Sequence, residues 1–198
     1  MAEIKSTMEK VMERLAAMDA GAAPAAELRA EEKTREGMRL AAGFLRGDGS
    51  DPAASLIGAP DDLRRFLCKG MVETFLRNIV LPREKDQQQL AEKAMGGLLA
   101  VGQGDNELVA VFSEMKSVLD RYLEHCTQLR QQLVDHFGKQ MGQMEQTLAA
   151  QTGMAMRLQP EQHPKFQEEW QRLQAELNDQ YGRAIAQYKE LVHQRLTM

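Results

Sequence analysis

Residues 106–150 read NELVAVFSEMKSVLDRYLEHCTQLRQQLVDHFGKQMGQMEQTLAA. No proline interrupts them, and Gly138 and Gly142 are the only weak points. Large apolar side chains recur at Leu108, Phe112, Met115, Leu119, Tyr122, Cys126, Leu129 and Leu133. The steps alternate four and three, the seam of a helix that packs along one side. After Leu133 the register slips to Phe137, Met141, Met144 and Leu148, a stutter that relaxes local supercoiling. A continuous helix here is about 65–70 Å long at 1.5 Å per residue. A chain of 198 residues cannot enclose such a rod, so the rod needs a long partner.

The partner is the last segment. From Phe166 the apolar positions run Trp170, Leu173, Leu177, Tyr181, Ala184, Tyr188 and Val192, an eleven-residue repeat close to a straight helix. Asn106–Ala150 and Lys165–Leu196 therefore read as an antiparallel, coiled-coil-like helical hairpin. Gly153 suits the end of the first helix, and Pro160 and Pro164 suit the start of the second.

Working back towards the N-terminus, Gly102-Gln103-Gly104-Asp105 is the connector into the rod, with Asp105 or Asn106 as cap. Before it lies the most apolar region. Pro60, Asp61 and Asp62 signal a helix start, and Leu63, Leu67, Met71, Phe75 and Ile79 form its stripe. Phe66, Val72, Leu76 and Val80 widen that stripe, so this helix is expected to be buried on several sides. Pro82 ends it. A further helix over Arg83–Val101 shows Leu90, Ala94, Met95, Leu98 and Leu99. Ala53–Ile57 is a single helical turn, and Gly47–Ser50 breaks the helix before it.

At the N-terminus, Ile4, Met8, Val11, Leu15 and Met18 form a narrow stripe at steps of four and three. A helix this short is marginal in water and must dock on its own chain or on a partner. Gly21–Ala26 (GAAPAA) reads as a connector to a second helix, Ala25–Arg46. The first half of that second helix is almost wholly charged or small, which suits a solvated spacer. The organisation expected is an arm over residues 1–50, a compact helical region over 51–104 and the hairpin over 105–198.

Composition supports the fold class and narrows the function. Ala, Leu, Met, Gln and Glu abound, aromatic residues make up 5%, and strand-like alternation is absent. Charged residues make up 27% of the chain, mixed in sign, with a net charge of −4. No basic patch invites phosphates, so nucleic acid is not an expected partner. No apolar run is long enough to span a bilayer, and the opening lacks an apolar signal core, so a cytoplasmic protein is the expectation. A membrane surface is a weak candidate, because Glu3, Glu9 and Glu13 offset Lys5, Lys10 and Arg14 on the first helix.

Chemistry-bearing patterns are sparse. Glu190-Leu191-Val192-His193 has the Glu-x-x-His spacing of di-iron bundles, but the chain holds no second pair. His125 and Cys126 are adjacent and point in different directions on a helix. His136 and His163 stand without ligand spacing, and Cys68 and Cys126 read as packing thiols. Gly102-x-Gly104 follows a helix and lacks a downstream lysine, so it is no nucleotide loop. Gly96-Gly97 allows close helix approach or a kink. Met154, Met156 and Leu158 fall at the hairpin turn, where they close the hairpin or form an adaptable tip for a partner.

The opening MAEIKSTMEKVMER resembles the N-terminus of a bacterial family of uncharacterised proteins, in which an EIKST segment precedes a Glu/Leu/Met-rich helix. Glu3, Ile4, Lys5, Ser6, Thr7, Glu9, Met12 and Glu13 carry the resemblance. It implies a bacterial cytoplasmic protein and no assigned activity.

The expectation is an all-α protein: a helical bundle with a long antiparallel hairpin. It acts as a non-catalytic interaction or assembly protein, with no catalytic residue, metal or cofactor. The candidate partner-binding residues are Ile4, Met8, Val11, Leu15, Met18, Met154, Met156 and Leu158. The partner is an unidentified protein. A homo-oligomer is also expected, because Val109, Val111, Val118, Leu123, Val134 and Leu191 widen the hairpin seam beyond what one helix covers. Two alternatives are a helical bundle that binds a metal or cofactor or acts as an enzyme, and a membrane-surface scaffold.

Overall fold

The computed structural model describes residues 7–152 and 159–197, with side chains for Met8, Met12, 26–142 and 159–197. The protein is an all-α helical bundle, and the described residues contain no strand. Its elements are α1 (Thr7–Arg46), α2 (Pro52–Ile57), α3 (Asp61–Asn78), α4 (Lys85–Val101), α5 (Asn106–Thr152), a 3-10 turn (Pro160–Gln162) and α6 (Pro164–Thr197).

The chain folds as two compact units. One comprises the described residues of Met1–Asn78, Ala94–Asp105 and His193–Met198; the other comprises those of Ile79–Lys93 and Asn106–Val192.

In the first unit α1 packs on α3. The sequence predicts a connector at Gly21–Ala26, but the backbone is helical throughout Thr7–Arg46. Ala22, Ala23, Ala25 and Ala26 flank Pro24, and alanine is the strongest helix former, so the helix carries across the proline. The two helices run in the same direction. Phe44 meets Phe75 edge to face with ring centroids 5.7 Å apart. Gly37 meets Leu67, and Ala26–Glu31 lie beside Asp62–Phe66. The crossing is tight because both helices present glycine there. A Cβ on Gly37 would strike the Leu67 carbonyl oxygen, and one on Gly70 would strike the Thr34 carbonyl oxygen.

Gly47 and Gly49 take positive φ, 82° and 86°, and end α1. Asp51 caps α2 by accepting from the Ala53 and Ala54 amides at 2.9 and 3.2 Å. Arg64 of α3 donates to the Leu56 and Ala59 carbonyls at 3.0 and 3.1 Å, fixing the turn between the two helices. Leu67, Met71, Val72, Phe75 and Leu76 of α3 are buried as the sequence predicts. On α4, Gly97 takes the face of the Phe75 ring, where a Cβ would come within 2.5 Å of ring carbons, while nothing lies near Gly96. The close approach expected of that glycine pair therefore belongs to Gly97 alone. The buried stripe of α4 runs through Ala91, Ala94, Met95, Leu98 and Val101; the predicted Leu90 is exposed.

In the second unit the α5 seam is buried or half-buried at every described position from Leu108 to Met141. α6 lies antiparallel to it. Tyr122 packs on Tyr181 at 5.5 Å between centroids, and Phe137 packs on Phe166 at 5.6 Å. Arg130 pairs with Glu161 at 3.0 Å. The first turns of α4 also lie along α5, where Gln88 bonds Asp120 and Lys116 pairs with Glu92. The sequence predicts helix from Arg83, but α4 begins at Lys85. Arg83 and Glu84 instead form a bend leading into the helix, where the Gln87 side chain accepts from the Arg83 amide at 2.7 Å.

Candidate functional site

Halfway along α5 and α6 the seam turns polar. Tyr122 is buried at the centre of α5, and its hydroxyl donates to Asn178 Oδ1 of α6 at 2.6 Å. One turn along, the Tyr181 hydroxyl and His125 Nδ1 lie 2.6 Å apart, with the two rings edge to face. Burial pushes the Tyr122 hydroxyl up to about 12, and the neighbouring Cys126 side chain adds to the shift.

Two clefts flank Tyr122. The larger, about 320 Å³, is walled by Ile79, Val80 and Leu81 on one side and by Ile185 and Ala186 on the other. Its polar groups come from Arg83, Tyr122, Asn178 and Lys189, and Gly182 forms part of the floor. The smaller, about 220 Å³, takes in Arg83, Cys126, Thr127, Arg130, Trp170 and Gln174. Arg83 borders both. Burial lowers the pKa of the Lys189 ammonium, because a half-buried cation loses water that nothing in the wall replaces. The wall of the larger cleft holds two cations and no carboxylate.

A third cleft lies in the first unit. It is about 580 Å³, between Ala26–Glu31 of α1 and Asp62, Leu63, Arg65 and Phe66 of α3. The Arg65 guanidinium stacks 4.5 Å over the Phe66 ring at its edge.

The residues singled out by spacing stay apart. His125 is exposed and bonded to Tyr181, while Cys126 is half-buried beside Tyr122, so the adjacent pair shares no ligand. His136 bonds Gln140 at 3.1 Å, and His163 accepts from the Lys165 amide at 3.2 Å. Glu190 is exposed and His193 half-buried on α6. Among the described residues no three His, Cys, Asp or Glu side chains gather as a metal site. Cys68 and Cys126 are both free thiols.

Of the candidate partner-binding residues, Met8 is described and is 76% exposed. Val11, Leu15 and Met18 lie within α1, with their side chains outside the described set; Ile4, Met154, Met156 and Leu158 lie outside the described residues. Of the positions beside the hairpin seam, Val109 and Leu191 are exposed, and Val111, Val118, Leu123 and Val134 are half-buried.

Sequence reasoning did not find Arg83, Asn178, Gly182 or Lys189, which come from two distant segments. The one available signal was Gly182, an unexplained glycine inside a long helix of good helix formers. No helix among the described residues is long and apolar enough to cross a membrane.

A family model described as a family of unknown function (DUF6657) matches residues 53–194. The match spans well over half of the chain, and the protein belongs to that family. The matched region begins after the EIKST opening, so membership rests on α2 to α6. No curated protein matches the chain. No solved structure matches it.

Proposed function

We propose that this member of DUF6657 is a non-catalytic helical interaction protein that presents the N-terminal half of α1 to a protein partner. The observation that supports the reading is the exposure of Met8 at 76% and Met12 at 64%, one turn apart on the same helix. α1 has 40 residues and α3 has 18. The start of α3 lies beside Ala26–Glu31, so α1 continues for about 28 Å beyond the start of α3, at 1.5 Å per residue. An amphipathic helix carried past its packing partner, with flexible methionines outward, suits a second helix that covers it.

The first partner to test is a second copy of the chain. Light scattering of the full-length protein at micromolar concentration is expected to give a mass above the 22.3 kDa of one chain. Met8→Glu with Met12→Glu is expected to return it to the single-chain mass with its circular dichroism unchanged. A wild type that stays monomeric and retains the same host proteins as the double variant would overturn the reading.

A further inference from the structure

We propose that the larger cleft beside Tyr122, whose lining carries two cations and no carboxylate, binds a small organic acid, with its carboxylate at Lys189 and its apolar body against the aliphatic side chains. Nothing in this reading depends on the α1 surface, which belongs to the other unit.

Three features of the cleft support it. The first is charge. Arg83 and Lys189 line the cleft with no carboxylate beside them, and no ion pair to either is found among the described residues. A half-buried ammonium without a counter-ion is costly, and a ligand carboxylate at Lys189 removes that cost, while Arg83 adds positive potential to the cleft. The second is shape. The volume, about 320 Å³, lies at the lower end of the range for small-molecule sites and suits a body of a few carbons. The aliphatic walls favour a hydrocarbon chain or ring over a sugar or phosphate ester. The third is the floor. A Cβ on Gly182 would meet nothing within 4 Å, so the missing side chain leaves space that any larger residue would occupy. Glycine inside a helix costs stability, and here that cost leaves a vacancy. The Tyr122–Asn178 bond fixes the inner wall, with the Asn178 amide N–H groups left to donate to a bound oxygen.

The experiment is calorimetric titration of the full-length protein with sodium hexanoate, with 1-hexanol and hexylamine as controls of equal length. Saturable binding of hexanoate is expected, with the alcohol and the amine weaker. Lys189→Gln is expected to weaken hexanoate by about tenfold, the loss of one charge-assisted contact, and Arg83→Gln by less. Gly182→Leu is expected to abolish binding by filling the floor, while Gly182→Ala keeps the fold and weakens binding less. Circular dichroism of each variant separates lost binding from lost structure. No saturable binding of hexanoate, equal binding of hexanoate and hexanol, or hexanoate binding unchanged in folded Gly182→Leu would each overturn the proposal.

Discussion

Gly37 and Gly70 sit reciprocally at the crossing of α1 and α3: each backbone lies where the other helix leaves no room for a Cβ. Each glycine lies three residues after the carbonyl that faces the other, Thr34 before Gly37 and Leu67 before Gly70. Alanine favours helix over glycine by about 1 kcal/mol, yet here it must push two backbones apart. Gly37→Ala or Gly70→Ala is expected to destabilise by about 1–3 kcal/mol net. Gly96→Ala, with nothing near its Cβ, is expected to stabilise by about 0.5–1 kcal/mol. Urea midpoints of the three variants check the contrast.

Tyr122 ties stability to alkaline pH. Its hydroxyl is held up to about 12 in the fold, against about 10 for an unfolded tyrosine. Below pH 10 both states keep the proton and the stability is fully present. Between pH 10 and 12 the unfolded chain ionises first, so stability falls as pH rises through that window. Tyr122→Phe is expected to flatten the fall between pH 10 and 12 in urea titrations. It is also expected to remove the last tyrosinate step near pH 12 in ultraviolet absorbance.

Phe137 holds the distal part of the α5–α6 pair. Its ring meets Phe166 at 5.6 Å and His163 at 5.9 Å between centroids. Phe137→Ala is expected to cost about 2–4 kcal/mol, less than a fully buried ring because the residue is half-buried. Thermal unfolding by circular dichroism measures the loss, and an unchanged midpoint would mean that these rings do not hold the pair.

Charge pairs matter less. Arg195 Nε donates to Asp105 Oδ2 at 3.0 Å, and both side chains are partly exposed, at 50% and 27%. Asp105→Asn is expected to cost below about 1 kcal/mol, and the difference from wild type is expected to vanish in 1 M salt. Comparing this loss with that of Gly37→Ala in one denaturant series ranks packing against electrostatics.

The helices and the α5 seam were legible because an apolar side chain every three or four residues is a strong periodic signal. The seam from Leu108 to Met141 and the α3 stripe from Leu67 to Phe75 needed nothing more. Leu90 misled because Ala91, too small to stand out in the pattern, takes the buried position. Gly37 and Gly70 were silent because close approach is marked by an atom that is missing. Pro24 was overweighted, since propensity summed over its alanine neighbours decides the helix. The Tyr122 cleft was illegible beyond Tyr122 and Cys126. Arg83 and Lys189 read as ordinary surface charges until folding brings their segments to one cleft.

The shared direction of α1 and α3 makes the link between them a measured tether. It must return from Arg46 to the level of Ala26–Glu31, about 22–30 Å at 1.5 Å per residue. Six of its residues are coiled into α2, which spans about 9 Å, and the other eight reach about 27 Å when extended. That leaves room for a link shorter by about two to four residues and no more. Lengthening is nearly free, because closure entropy grows only slowly with loop size. Natural length variation in this part of the protein should therefore run almost wholly towards insertion.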